Sequence, residues 1–133
     1  RINLEESTRF SPIYDSGCCL AREKNDDEIQ LMNKDIQLIE KYINKGKSEI
    51  HWDEKKVTHF NLVELLLNDY ADIVKNRIKK VKENFDANNI ISLVNNIDAN
   101  LPDFCNEYKL TKERKEVIIK IVNLRIEKLL SLL

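Results

Sequence analysis

The sequence predicts a mainly α fold of four to six helices behind a short extended or β segment at the N-terminus. Two observations carry this. Only two glycines and two prolines occur in 133 residues, so there are few turn-makers and the helices should be long. Apolar residues also recur at spacings of three and four through most of the chain, the period of a helix with one buried face.

The opening stretch is the exception. Phe10, Ile13 and Tyr14 are strand formers, and Pro12 imposes an edge or irregular backbone around Ser11. Asp15 to Gly17 then reads as a turn and Cys18 to Lys24 as a loop, so residues 1–24 form an extended segment and residues 25–133 the helical body, one domain in all. Asn25 is placed to cap the first helix, with Glu28 completing a capping box. Ile29, Met32, Ile36, Ile39 and Ile43 make a narrow stripe along that helix, which Gly46 stops.

Ser48 to Trp52 suggests a brief strand turning through Asp53 and Glu54. Thr58 is an N-cap candidate, with Val57 and Leu62 at the hydrophobic-staple positions around it. Leu62, Leu66, Tyr70, Ile73, Ile78, Val81 and Phe85 mark one broad face of the next helix, with a break expected near Asn68 to Ala71. Ile90, Ile91, Val94 and Ile97 resume the pattern until Pro102. Thr111 caps the final helix, where Ile119, Val122, Ile126, Leu129 and Leu133 share a face that Ile118 and Ile121 widen. These stripes are expected to pack into a single core containing Leu66, Ile78, Val122 and Leu129.

Composition sets limits on function. Apolar residues make up 42% and charged residues 34%, a globular balance. Lys and Arg number 22 against 23 Asp and Glu, a net charge of -1 that argues against a dedicated nucleic-acid surface. The most apolar segment, Val117 to Leu133, is interrupted by Lys120, Arg125, Glu127 and Lys128, which argues against a membrane span. Cys18 and Cys19 are adjacent, about 3.8 Å apart at Cα, whereas a disulfide prefers roughly 4.4–6.8 Å. With Cys105 the only other thiol, a reduced, cytoplasmic setting is the expectation. The chain opens on Arg1 rather than methionine, as expected of part of a longer product.

Asp15 is the sharpest candidate for chemistry. Asp-x-Gly after a short apolar stretch is how many phosphotransferases hold a metal: the carboxylate is a hard oxygen donor for magnesium, and glycine lets the chain turn away behind it. The same triplet also makes ordinary turns, because Asp bonds the backbone two residues on. Elsewhere the signals are bland. His51 and His59 have no zinc-ligand spacing, and Cys18 and Cys19 lack an orienting group for nucleophilic work and read as packing thiols. Lys75, Lys79 and Lys82 share a face that could touch phosphates but reads as solvated, and Trp52 reads as a hairpin or core anchor.

The longer context, Phe10-Ser11-Pro12-Ile13-Tyr14-Asp15-Ser16-Gly17, resembles the stretch in HipA-like serine/threonine protein kinases where an (A/S)-P-x-(Y/F)-D segment plays the part of the Asp-Phe-Gly motif. Glu49-Ile50-His51-Trp52 leading to Val57-Thr58-His59-Phe60 is similar to the stretch before a long C-lobe helix in many of these proteins. The resemblance implies a kinase-like C-terminal lobe, with Asp15 as a ligand for Mg²⁺ and ATP as the phosphoryl donor in the intact kinase. It implies a missing N-terminal kinase lobe as partner, and the setting of toxin–antitoxin systems. The phosphate-covering loop, the strand lysine and the catalytic loop would all precede Arg1, so neither a catalytic residue nor bound cofactor is expected in this chain alone. Self-association through Phe10, Ile13, Tyr14 and Leu20 is expected where the lobe is uncovered. The alternative, from a different class, is a small helical protein-interaction module in which Asp15 is only a turn residue.

Overall fold

The computed structural model describes residues 19–133 in full and the backbone of residues 2–4 and 7–9. Strands β1 (Ile2–Leu4) and β2 (Ser7–Arg9) form an antiparallel pair with Asn3 opposite Thr8. Helices α1 (Asp26–Lys34) and α2 (Ile36–Lys45) follow, then the hairpin of β3 (Lys47–Trp52) and β4 (Lys55–Thr58). Helices α3 (His59–Asn84), α4 (Ala87–Asn96) and α5 (Lys112–Leu130) complete the chain, with a 3-10 helix at Asp103–Tyr108 before the last. The fold is mainly α, as expected, and no described helix is long and apolar enough to cross a membrane.

The capping chemistry explains where the elements start. Asn25 accepts from the Glu28 amide at 2.9 Å while the Glu28 carboxylate takes the Asn25 amide at 3.0 Å, a reciprocal capping box. Thr58 and Thr111 cap α3 and α5 through the amides of Asn61 and Arg114, both at 3.3 Å. The β3–β4 turn is a two-residue loop in which Asp53 and Glu54 both have positive φ, 47° and 63°. That geometry matches the twist of a hairpin, although Asn-Gly would adopt it at lower cost.

One expected helix is in fact two. Asp35 adopts an extended conformation (φ -125°, ψ 106°) between α1 and α2, and its carboxylate accepts from the Gln37 amide at 2.9 Å. Aspartate competes well for local backbone donors, so it restarts the helix rather than continuing it. The break puts Ile36 outside the stripe, 46% exposed, while Ile29, Met32, Ile39 and Ile43 are buried. Gly46 does end α2, but with negative φ rather than in the left-handed cap conformation. Its small size serves the neighbouring element: a Cβ there would lie 3.0 Å from Cδ2 of His59.

The core is narrower than one joint helical core. Ala21, Ile29, Met32, Ile39, Ile43, Val117 and Ile121 form it, with Leu20, Tyr42 and Leu124 packed at its edge. It therefore lies between α1, α2 and α5. On α5 the fully buried positions are Val117 and Ile121, not the 119–122–126–129 face, and Val122 and Leu129 are half-buried. The reason is that α5 touches α1, α2, α3 and α4, so its apolar residues are shared among several neighbours.

Helix α3 bends where expected, at Tyr70 (φ -137°, ψ 43°). The bend resets the helical phase, so one stripe cannot continue across it. Leu62 and Ile78 are buried on either side of the bend, Leu66 is half-buried, and Tyr70 and Ile73 stand out at 54% and 64% exposure. Ile121→Ala should therefore cost about 2–5 kcal/mol in urea unfolding, against under about 0.5 kcal/mol for Ile73→Ala. Equal losses would mean that the core is misassigned.

Candidate functional site

Asp15, with the whole stretch from Phe10 to Cys18, lies outside the described residues. What the structure describes is the point where the chain leaving Asp15 joins the folded body. Leu20 follows Asp15 by five residues, so the chain can carry the Asp15 Cα at most about 18 Å from that anchor.

The anchor is an unusual turn. Leu20 and Ala21 both have positive φ, 56° and 61°, a conformation costing a non-glycine residue roughly 1–3 kcal/mol. Ala21 is fully buried, so its backbone polar groups need partners. Its amide donates to the Tyr42 hydroxyl of α2 at 3.0 Å, and its carbonyl accepts from the Arg114 guanidinium of α5 at 3.2 Å. Arg114 also donates to the Lys24 carbonyl and to the Asp26 carboxylate, both at 2.9 Å. One planar cation thus holds three acceptors across the turn and the start of α1. Burial pushes the Tyr42 hydroxyl above its ordinary pKa, against the opposing effect of the hydrogen bond from the Ala21 amide, so it stays a neutral acceptor. Arg125 lies over the Tyr42 ring, 6.0 Å from its centroid.

Three lysines of α5 extend the same frame. Lys120 donates to the Asn33 carbonyl at 2.7 Å and to its side-chain oxygen at 2.6 Å, closing the C-terminal end of α1. Lys128 donates to Asn44 of α2 and sits 4.5 Å from the Phe60 ring centroid. Lys115 takes the Asn95 carbonyl at the end of α4 and pairs with Asp98 at 2.6 Å. Asp98 is 7% exposed and also accepts from the Leu110 amide at 2.8 Å. The Lys115 hydrogen bond is the main reason its carboxyl titrates below the ordinary aspartate value.

The other sequence candidates stay apart. His51 is exposed on β3. His59 opens α3, with its pKa lowered first by burial and then by Arg125. Among the described residues no three His, Cys, Asp or Glu side chains form a group that could hold a metal. Cys19 and Cys105 are free, half-buried thiols. Lys75, Lys79 and Lys82 are exposed on α3, and Trp52 is half-buried at the closed end of the β3–β4 hairpin. Of the residues expected to mediate self-association, Leu20 is partly buried and packs against the core of its own chain, and Phe10, Ile13 and Tyr14 lie outside the described residues. Arg114 and Tyr42 were not legible as anchors: Arg114 is 93 residues from Ala21, and no glycine or asparagine marks the left-handed pair.

No protein-family model, curated protein or solved structure matches the chain.

Removing the Arg114 guanidinium should leave the Ala21 and Lys24 carbonyls short of a partner. Arg114→Ala is expected to cost about 2–3 kcal/mol, with faster amide exchange at Ala21. Loss of stability without that local change would place the role of Arg114 elsewhere. The Asp98 contribution has a defined sign. Its folded pKa lies below the unfolded value of about 3.9, so the stabilisation is complete above that pH and is lost as pH falls through the folded value. The melting-temperature gap between wild type and Asp98→Asn should be constant above about pH 5 and close in stronger acid. A gap that stays as wide in strong acid as at neutral pH would show that the charge is not its source.

Proposed function

We propose that this chain is the C-terminal helical lobe of a HipA-like serine/threonine protein kinase, inactive by itself, in which Asp15 is a ligand for Mg²⁺. The observation that carries this reading is the stretch Phe10 to Gly17, with its Ser-Pro-Ile-Tyr-Asp core, running directly into a mainly helical body. The donor chemistry suits the ion, since a carboxylate oxygen is hard and anionic. A single carboxylate is an incomplete ligand set, and the described residues add no ready-made cluster to it. The other ligands would be ATP phosphates, water and groups upstream of Arg1.

When bound, Mg²⁺ supplies charge neutralisation on the β- and γ-phosphates as the γ-phosphoryl group passes to a Ser or Thr hydroxyl. The part of this chain would be to hold one negative oxygen at a fixed place. The Leu20–Lys24 anchor supports that role, because it ties the end of the Asp15 segment to both α2 and α5. The partners that follow are the N-terminal kinase lobe and a second copy of this chain.

A second reading, a helical protein-interaction module without catalysis, is favoured by the apolar surface after α3. Leu93, Ile97, Phe104 and Tyr108 are exposed by 62%, 61%, 83% and 71%, apolar surface of the kind such a module would offer a partner.

The two readings diverge experimentally. The chain alone should hydrolyse no ATP and should show no autophosphorylation. In the protein extended upstream, Asp15→Asn should abolish phosphoryl transfer while leaving the melting temperature close to wild type. Phosphorylation at the wild-type rate by that variant would end the kinase role of Asp15 and leave the interaction module.

A further inference from the structure

Helices α1 and α2 meet at the single residue Asp35, and the angle between them leaves a groove of about 340 Å³. Its apolar lining comes from Leu31 and Met32 of α1 and from Leu38 and Tyr42 of α2. Met32 is 5% exposed, whereas Leu31 and Leu38 are exposed by 59% and 36%. The groove therefore has a buried floor and leucine rims in water, where polar residues would cost nothing.

Its charge is lopsided. On the α1 side, Lys24 and Glu28 pair at 2.8 Å and cancel. Glu23 and Arg125 lie near Tyr42 and act on its hydroxyl in opposite directions. On the α2 side stand Lys41 and Lys45, both exposed, and neither is in an ion pair among the described residues. They are four residues apart on one helix, hence one turn apart along the groove edge. A chain of net charge -1 thus carries two uncompensated ammonium groups beside its apolar groove.

We infer that this groove is a docking site for an acidic amphipathic helix of a protein partner. The partner places apolar side chains at i, i+3 or i+4 between Leu31 and Leu38, and carboxylates one turn apart along its flank against Lys41 and Lys45. Apolar burial supplies the attraction, and the lysine edge sets orientation and discriminates against basic helices. This inference does not depend on the role of Asp15.

The test uses the full 133-residue chain and two labelled helical peptides. Both carry leucines at i, i+3 and i+7; one has glutamates along a single flank and the other has lysines there. Fluorescence anisotropy should show saturable binding of the glutamate peptide, about tenfold tighter than the lysine peptide at low salt, with the difference shrinking as salt is added. The double variant K41E/K45E should reverse the preference. Leu31→Ser and Leu38→Ser, at exposed positions, should abolish binding with little change in melting temperature. Equal binding of the two peptides, no saturation by either, or binding unaffected by the leucine variants would overturn the inference. Sedimentation that shows self-association lost in Leu31→Ser would assign the groove to a second copy and overturn it as well.

Discussion

The guanidinium of Arg114 is the contact on which the N-terminal half of the body depends. It joins the turn at 20–24 and the first turn of α1 to α5, through two backbone carbonyls and one carboxylate. Exposed ion pairs contribute little, because water competes for both partners. Here two of the three acceptors are neutral carbonyls, and the Arg114 side chain is only 16% exposed, so the hydrogen bonds form with much of the competing water excluded. Lys120 and Lys115 repeat the device at the ends of α1 and α4. Each brings a cation to carbonyls that a helix end cannot pair internally, at the negative end of its dipole.

This makes α5 a spine with apolar and polar duties. Val117 and Ile121 are fully buried in the core shared with α1 and α2, while Arg114, Lys115, Lys120 and Lys128 fasten neighbours on its flanks. The long side chains suit both, since their methylene stems cover apolar surface while the charged heads reach outward. Beyond Tyr70, α3 has one buried apolar residue, Ile78, and α4 has one, Val94. Sparse burial of this kind marks the part of a structure that opens first. The stability of the chain is concentrated in α1, α2 and α5, and the exposed leucines and aromatics elsewhere lie on its more weakly held parts.

Much of this was legible from local chemistry. Asn25 with Glu28, Thr58 and Thr111 declared the helix starts because side-chain caps are short-range, and Asn68 to Ala71 declared the bend. The hairpin through Asp53 and Glu54 was legible for the same reason, although its positive φ values were not. The failures came where tertiary contacts decide. Periodicity could not tell which stripe of α5 would be innermost, because that helix has apolar residues on several sides. Asp35 looked like one polar position inside a stripe, and only its own hydrogen bond to Gln37 reveals a helix boundary. The grip of Arg114 on Ala21 left no trace at all, since a backbone acceptor can belong to any residue type.

The same reasoning bears on Asp15. A metal ligand works only if its oxygen returns to one place, and a turn residue needs no such constraint. The structure spends two left-handed non-glycine residues just downstream of the candidate segment and holds the second, Ala21, from two different helices. Ordinary loop closure would not require that, since a glycine at either position would relieve the strain. Strain of this kind persists only where the surrounding structure over-determines it, here through hydrogen bonds from two rigid helices. Leu20 and Ala21 thus hold the point at which the segment carrying Asp15 joins the folded body, five residues further along the chain.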